Sequence, residues 1–195
     1  MPLIERDQSM LLVIDAQENF YRDERVDVDR DRMAHVHDVA AWVVGAARAL
    51  DVPVVVTEED PAKNGPTTDR IAARLPTSAV VLPKFAFAAP DNVDIMAAIE
   101  KTAASTCVLI GMETDICVTH SALQLHARGK RVVVISDAVY SPGSAHADGL
   151  DRLRSSQIDV ISAKGLLYDW VRTVDGIRAF CRANSELAYP PGFSL

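Results

Sequence analysis

Short apolar runs punctuate the chain at regular intervals. They are Met10-Leu11-Leu12-Val13-Ile14, Val52-Pro53-Val54-Val55-Val56-Thr57, Ala79-Val80-Val81-Leu82, Ser105 to Ile110, Arg131 to Ser136, and a weaker one at Ile158 to Ser162. Runs this short and this continuous fit strands buried on both faces, as in a parallel sheet. Between them the apolar spacing changes to steps of three and four. From Asp29 to Leu50, Val36, Val39, Ala40, Val43, Val44, Ala47 and Leu50 fall on one helical face. Shorter helices are predicted at Thr68 to Leu75, from an Asp91 or Asn92 cap to about Thr102, from Thr119 to Arg128 with Gly129 as its stop, and from Ala145 to Ser156. Lys164 to Asn184 reads as one or two more. The charged stretch Tyr21 to Arg32 and the polar loop Glu58 to Thr68 belong on the surface. Strands alternating with helices along the whole chain predict an α/β fold with a mainly parallel, six-stranded sheet.

In such sheets the site lies beyond the carboxyl ends of the strands. That rule selects Asp15, Thr57-Glu58-Glu59, Lys84, the turn ending in Cys117, and Asp137. Three of these have complementary chemistry. Cys117 can attack an electrophilic carbon, Asp15 can take and return a proton, and Lys84 can stabilise both anions. Cys117 follows a strand at the start of a helix, where the helix dipole and unpaired N–H groups favour thiolate. Each residue also has a plainer reading: Cys117 as a small buried hydrophobe, Asp15 as a loop cap, Lys84 as a solvated charge. The neighbours Pro83 and Phe85-Ala86-Phe87 make an odd setting for a solvated lysine.

Composition narrows the classes. A chain of 195 residues is expected to form one domain, here residues 1–187, with a tail 188–195 that is loose or docks on a partner subunit. A net charge of −7, with no block of Lys or Arg, does not suit a nucleic acid or an anionic membrane. Cys107, Cys117 and Cys181 cannot all pair within one chain and form no C-x-x-C, which fits a reducing cytoplasm. Met1-Pro2-Leu3-Ile4-Glu5-Arg6-Asp7 does not read as a signal peptide, and no apolar run reaches membrane-spanning length. A dinucleotide-binding protein would show its glycine fingerprint after the first strand, where Asp15-Ala16-Gln17-Glu18 has no glycine.

Leu11-Leu12-Val13-Ile14-Asp15-Ala16-Gln17, Lys84-Phe85-Ala86-Phe87 and Gly111-Met112-Glu113-Thr114-Asp115-Ile116-Cys117-Val118 resemble the three signature segments of the isochorismatase-like cysteine hydrolases. The resemblance extends in order to about Phe180. It implies a single-domain, Rossmann-like three-layer α/β/α sandwich, and it gives Asp15, Lys84 and Cys117 the roles of a catalytic triad. It also implies a non-proline cis peptide bond at Met112-Glu113, an oxyanion hole built from the backbone N–H groups of Glu113 and Cys117, and a homo-oligomer.

The family includes nicotinamidases, carbamoyl-sarcosine amidases, ureidoacrylate and biuret-type amidohydrolases, and isochorismatases. Nicotinamidases carry a metal site with histidines in the loop after the second strand. Here that loop, Thr57 to Thr67, has none, and His120 and His126 are wrongly spaced for one helix face. No metal and no cofactor are therefore expected. Isochorismate-type vinyl-ether hydrolases can lack the cysteine, so Cys117 fits covalent acyl chemistry better. The Thr-Glu-x-x-Pro and Gly-Pro-Thr elements of the loop are similar to isochorismatase-domain proteins without an assigned substrate. The expected activity is hydrolysis of a small amide, ureide or related C–N substrate through Cys117. The alternatives are a metal-independent vinyl-ether hydrolase, a non-catalytic interaction module and a thiol-redox protein. Gln17, Phe20, Thr57, Glu59, Phe85, Phe87 and Ile116 are the expected pocket residues.

Overall fold

A computed structural model describes residues 2–21 and 27–193. Part of the charged stretch Tyr21 to Arg32 therefore lies outside the described residues. Six strands form one parallel sheet: β1 (Ser9–Ile14), β2 (Val54–Glu59), β3 (Val80–Lys84), β4 (Thr106–Met112), β5 (Arg131–Tyr140) and β6 (Asp159–Ile161), in the order β3-β2-β1-β4-β5-β6. The order reverses between β1 and β4, the adjacent central strands. Their carboxyl ends, at Ile14 and Met112, mark the crevice where the site belongs.

Strand alternation divides the core in two. Leu11, Val13, Val54, Val56, Val108, Ile110, Val133 and Ile135 face one side, under α1 (Arg30–Ala49), α7 (Ala163–Val171) and α8 (Val174–Ala183). Met10, Leu12, Ile14, Val55, Cys107, Leu109, Val132 and Val134 face the other, under α4 (Val93–Lys101), α5 (Thr119–Ala127) and α6 (Ala145–Ser155). Burial on both faces is why these strands are apolar throughout. The result is the three-layer α/β/α sandwich. The apolar stripe of α1 is buried as its spacing predicts, and Asp29 caps the helix by accepting from the Arg32 N–H at 2.9 Å. Among the described residues, no helix is long and apolar enough to cross a membrane.

Several boundaries differ from the expectation, each for a local reason. β3 continues through Pro83 to Lys84 because it is an edge strand, where a missing N–H is tolerated. β5 runs on to Tyr140 past Ser136 and Asp137. Its pairing with β4 jumps from Leu109–Val134 to Gly111–Val139, and the residues between form an irregularity. Asp137 therefore stands away from the site, its Oδ1 accepting from the Ala163 N–H at the start of α7 at 2.8 Å. The loop after β2 contains two short helical pieces, α2 (Pro61–Asn64) and α3 (Asp69–Ala72). Towards the end of the described residues, the Trp42 indole donates to the Leu187 carbonyl, and the Lys164 ammonium stands 3.9 Å from the Phe193 ring centroid.

Candidate active site

β1 ends at Ile14, and Asp15 turns out of the strand with φ of 50°. β3 ends on Lys84, opposite Glu59 at the end of β2. β4 leads through Met112 and a cis Met112–Glu113 peptide bond into a π-helical turn, Thr114–Val118, which carries Cys117 ahead of α5. Four strand ends thus deliver Asp15, Thr57, Glu59, Lys84 and Cys117 to one place.

The Lys84 ammonium is the centre of this cluster. It lies 3.0 Å from Asp15 Oδ2, 3.6 Å from Glu59 Oε2 and 3.5 Å from Cys117 Sγ, and it donates to the carbonyls of Ala86 and Phe87 at 3.0 and 3.2 Å. The Lys84 and Asp15 side chains are both 0 % exposed, so the plainer reading of a solvated lysine does not hold. The Thr57 hydroxyl donates to Asp15 Oδ1 at 2.7 Å. Asp15 Oδ2 meets the ammonium as an ion pair but has no aligned donor, so it keeps a lone pair for a proton. The Cys117 thiol donates to Glu59 Oε2 at 3.3 Å.

Burial sets the direction of titration at Asp15 and Cys117. It pushes the Asp15 carboxyl up to about 6, against the pull of Lys84 and the Thr57 hydrogen bond. Burial alone would lower the Lys84 ammonium, but Asp15, Cys117 and Glu59 outweigh it and hold it above the usual lysine value. Cys117 departs from the sequence expectation. Burial pushes its thiol well up, Asp15 and Glu59 push the same way, and Lys84 pulls against them without prevailing. The loss of water and the nearby carboxylates favour the thiol, the opposite direction to the one a helix terminus predicts.

Asp15, Glu59 and Cys117 place one ligand atom each within 4.8 Å of one another. By donor type this set would accept a divalent ion. The Lys84 ammonium, within 3.6 Å of all three, already serves as their cation.

The other expected pocket residues divide by role. Gln17 is a latch: its Nε2 donates to the carbonyls of Glu59 and Gly65 at 3.0 and 2.7 Å and ties the loops after β1 and β2 together. Glu58, the neighbour of Glu59, accepts from the Thr67 N–H and hydroxyl instead and braces the same loop. Phe20 packs edge-on against Tyr21 beside Met112 and Tyr140. Ile116 is half-buried against the α4–α5–α6 side of the core. Phe85 is 77 % exposed, and Phe87 stands edge-on to His120 at the surface, so these rings do not form a buried wall within the chain.

Residues not foreseen from the sequence hold the cysteine turn. Thr114 Oγ1 pairs with His146 Nδ1 at 3.0 Å, the Thr119 hydroxyl donates to the Thr114 carbonyl at 2.6 Å, and the Ser141 hydroxyl donates to Asp115 Oδ1 at 2.6 Å. The Tyr21 hydroxyl donates to Glu113 Oε1 at 3.0 Å. Gly149 lets α6 approach: a Cβ there would stand 2.8 Å from the Asp115 backbone. Its one sequence signal is a glycine inside a helical stretch, which marks close packing. Gly111, at φ +118°, does the same between strands, since a Cβ would fall 1.9 Å from the Ile14 carbonyl oxygen.

Known proteins agree with this architecture. The chain is similar to isochorismatase domain-containing protein 2 of Bos taurus, 30 % identical over 165 residues, or 84 % of this chain and 75 % of the relative. The fold is similar to that of MAR1 ribonuclease from Caenorhabditis elegans, with a TM-score of 0.84, 20 % identity, and coverage of 100 % of this chain and 98 % of the other. It is also similar to N-carbamoylsarcosine amidase from Thermoplasma acidophilum, with a TM-score of 0.67, 22 % identity, and coverage of 80 % and 96 %. The isochorismatase domain matches residues 9–165, the span that carries every strand and the whole cluster, and the chain belongs to this family of isochorismatase-like hydrolases.

Proposed function

We propose that the protein is a cysteine-dependent hydrolase of a small amide or ureide, with Asp15 as proton carrier and Lys84 as the fixed charge between them. The observation that carries this reading is the geometry around Lys84. One buried ammonium stands within 3.5 Å of a thiol sulfur and of a carboxylate oxygen that has no aligned donor.

The thiol gives its proton to Asp15 Oδ2 as sulfur bonds to the carbonyl carbon. The carbonyl π electrons move to oxygen, which takes hydrogen bonds from the Glu113 and Cys117 backbone N–H groups. The C–N bond then breaks, and Asp15 returns the proton to the leaving nitrogen. Water, losing a proton to the same carboxylate, attacks the thioester; the C–S bond breaks, the acid leaves, and Asp15 passes the proton to sulfur to restore the thiol. Transfer from Cys117 to Asp15 conserves the charge of the buried cluster. An aspartate raised to about 6 is closer in proton affinity to a buried thiol than an ordinary carboxylate is.

The ribonuclease activity named for the nematode fold neighbour does not suit this site. A net charge of −7, and carboxylates on two sides of the sulfur, would repel a phosphodiester. The test is a panel of small primary amides and ureides with Cys117→Ala as the blank, read by ammonia release and by mass spectrometry of the enzyme. Turnover with an acyl adduct on Cys117 is the expected result. Equal turnover by the Cys117→Ala protein would overturn the reading.

A further inference from the structure

Glu59 has no part in the steps above, yet its carboxylate is in contact with the nucleophile. Its backbone is fixed: the carbonyl accepts from Gln17 Nε2 at 3.0 Å and from Asn64 Nδ2 at 2.9 Å. Its side chain crosses to the sulfur, with Oε2 3.3 Å from Sγ and 3.6 Å from the Lys84 ammonium. The other two charged groups at the sulfur, Asp15 and Lys84, are sealed from solvent, while the Glu59 side chain is 27 % exposed. Among these three, Glu59 alone touches both the sulfur and the outside.

We infer that Glu59 sets the substrate class, selecting a neutral carbonyl compound that bears an NH2 group on the scissile carbon and rejecting one that bears a carboxylate there. The inference rests on Cys117 being the nucleophile. A reacting carbon must come within about 3–3.5 Å of Sγ. With Oε2 3.3 Å from the same sulfur and Glu59 the partly exposed member of the cluster, a carbon approaching from the solvent side brings its substituent within hydrogen-bond reach of Glu59. A carboxylate accepts and cannot donate, so an N–H fits there and a second carboxylate does not.

Charge counting leads to the same conclusion. Asp15, Glu59 and Lys84 as ion-paired groups sum to −1 around a neutral thiol. Moving the thiol proton to Asp15 leaves the sum at −1. An anionic substrate therefore meets excess negative charge at every stage, and Glu59 is the part of it that reaches solvent.

The same contact links binding to proton transfer. At rest the thiol points its proton at Glu59 Oε2. An incoming NH2 takes over that acceptor and leaves the thiol to Asp15, which it already contacts and which the chemistry needs.

Iodoacetamide and iodoacetate test this without any turnover, since they differ chiefly in carrying an amide or a carboxylate next to the reacting carbon. In both reactions Sγ bonds to the methylene carbon, iodide leaves with the C–I electrons, and the thiol proton goes to base. Because one sulfur attacks both reagents, the ratio of the two rates cancels the thiolate fraction, and with it any effect of a variant on thiol acidity. Each cysteine is followed by peptide mass mapping, with Cys181 as internal reference.

Cys117 is expected to prefer iodoacetamide at least ten-fold more strongly than Cys181 does. Glu59→Gln should reduce that excess preference about ten-fold and leave the Cys181 ratio unchanged. Raising salt on the unaltered protein should narrow the Cys117 ratio, because Glu59 is partly exposed and screened, which gives a second reading should the variant fold poorly. Equal ratios at Cys117 and Cys181, insensitive to both the variant and salt, would overturn the inference and leave the hydrolase proposal standing. A shifted ratio without amide turnover would support the selectivity while the hydrolase proposal fell.

Discussion

The Thr57 hydroxyl donates to Asp15 Oδ1 at 2.7 Å and leaves Oδ2 facing Lys84. This bond lowers a carboxyl that burial has raised to about 6. Since the base must be ionised, labelling of Cys117 by iodoacetamide should fall as pH drops through about 6. Thr57→Val removes a donor to the charged form, so the midpoint should move to higher pH. A midpoint unmoved by Thr57→Val, measured as labelling rate against pH, would remove Asp15 from the role of base.

Lys84 links site to stability. Asp15 has a folded value near 6 against 3.8 for the free group, so the folded chain binds this proton more tightly than the unfolded chain does. The contribution of Asp15 is most favourable below about 3.8 and is lost as pH rises through about 6. Lys84→Met leaves the buried carboxylate without its ion pair. It should destabilise the protein by about 3 kcal/mol at pH 7.5, with a smaller deficit at pH 5, where Asp15 can be neutral. Urea unfolding at the two pH values checks this; equal deficits would count against the ion pair as the cause.

Gly149→Ala tests the contact between α6 and the cysteine turn. Alanine is the better helix former, but its Cβ would stand 2.8 Å from the Asp115 backbone. Net destabilisation of about 1–3 kcal/mol is expected from the overpacking, with slower labelling of Cys117 as Asp115 and its neighbours shift. A gain in melting temperature would show that the turn has room.

Leu187→Ala should separate packing from chemistry. Leu187 is buried against α1, with its methyl groups over Gly45 and its carbonyl bonded to Trp42. The expected cost is about 2–3 kcal/mol in urea unfolding, with the pH profile of Cys117 labelling unchanged in the folded protein.

The parts of this structure legible in the sequence are those set by burial on both faces. β1, β2 and β4 announce themselves as unbroken apolar runs, and the strand-end rule then selects a short set from which complementary chemistry picks Asp15, Lys84 and Cys117. β5 was read as ending near Ser136 because its polar pair falls at an irregularity inside the strand. β3 reads as Ala79 to Leu82, ending at Pro83-Lys84, because local propensity does not reveal an edge position. Glu58 and Glu59 are adjacent carboxylates in the sequence, yet one braces Thr67 and the other meets the sulfur. Nothing local distinguishes them. The acidity of Cys117 is hidden for a similar reason: the helix terminus can be read along the chain, whereas the burial and the β1 and β2 carboxylates that oppose it cannot.

Lys84 is carried by the edge strand of the sheet, and of its residues Val80, Val81 and Pro83 are exposed. The fixed charge of a sealed site thus hangs on one of the least covered pieces of backbone. Fraying of this edge would withdraw the ammonium while the central strands stay paired, since local openings need far less free energy than global unfolding. Mild denaturant should therefore silence the thiol before the fold is lost, with amide exchange in Val80 to Lys84 rising in step with inactivation.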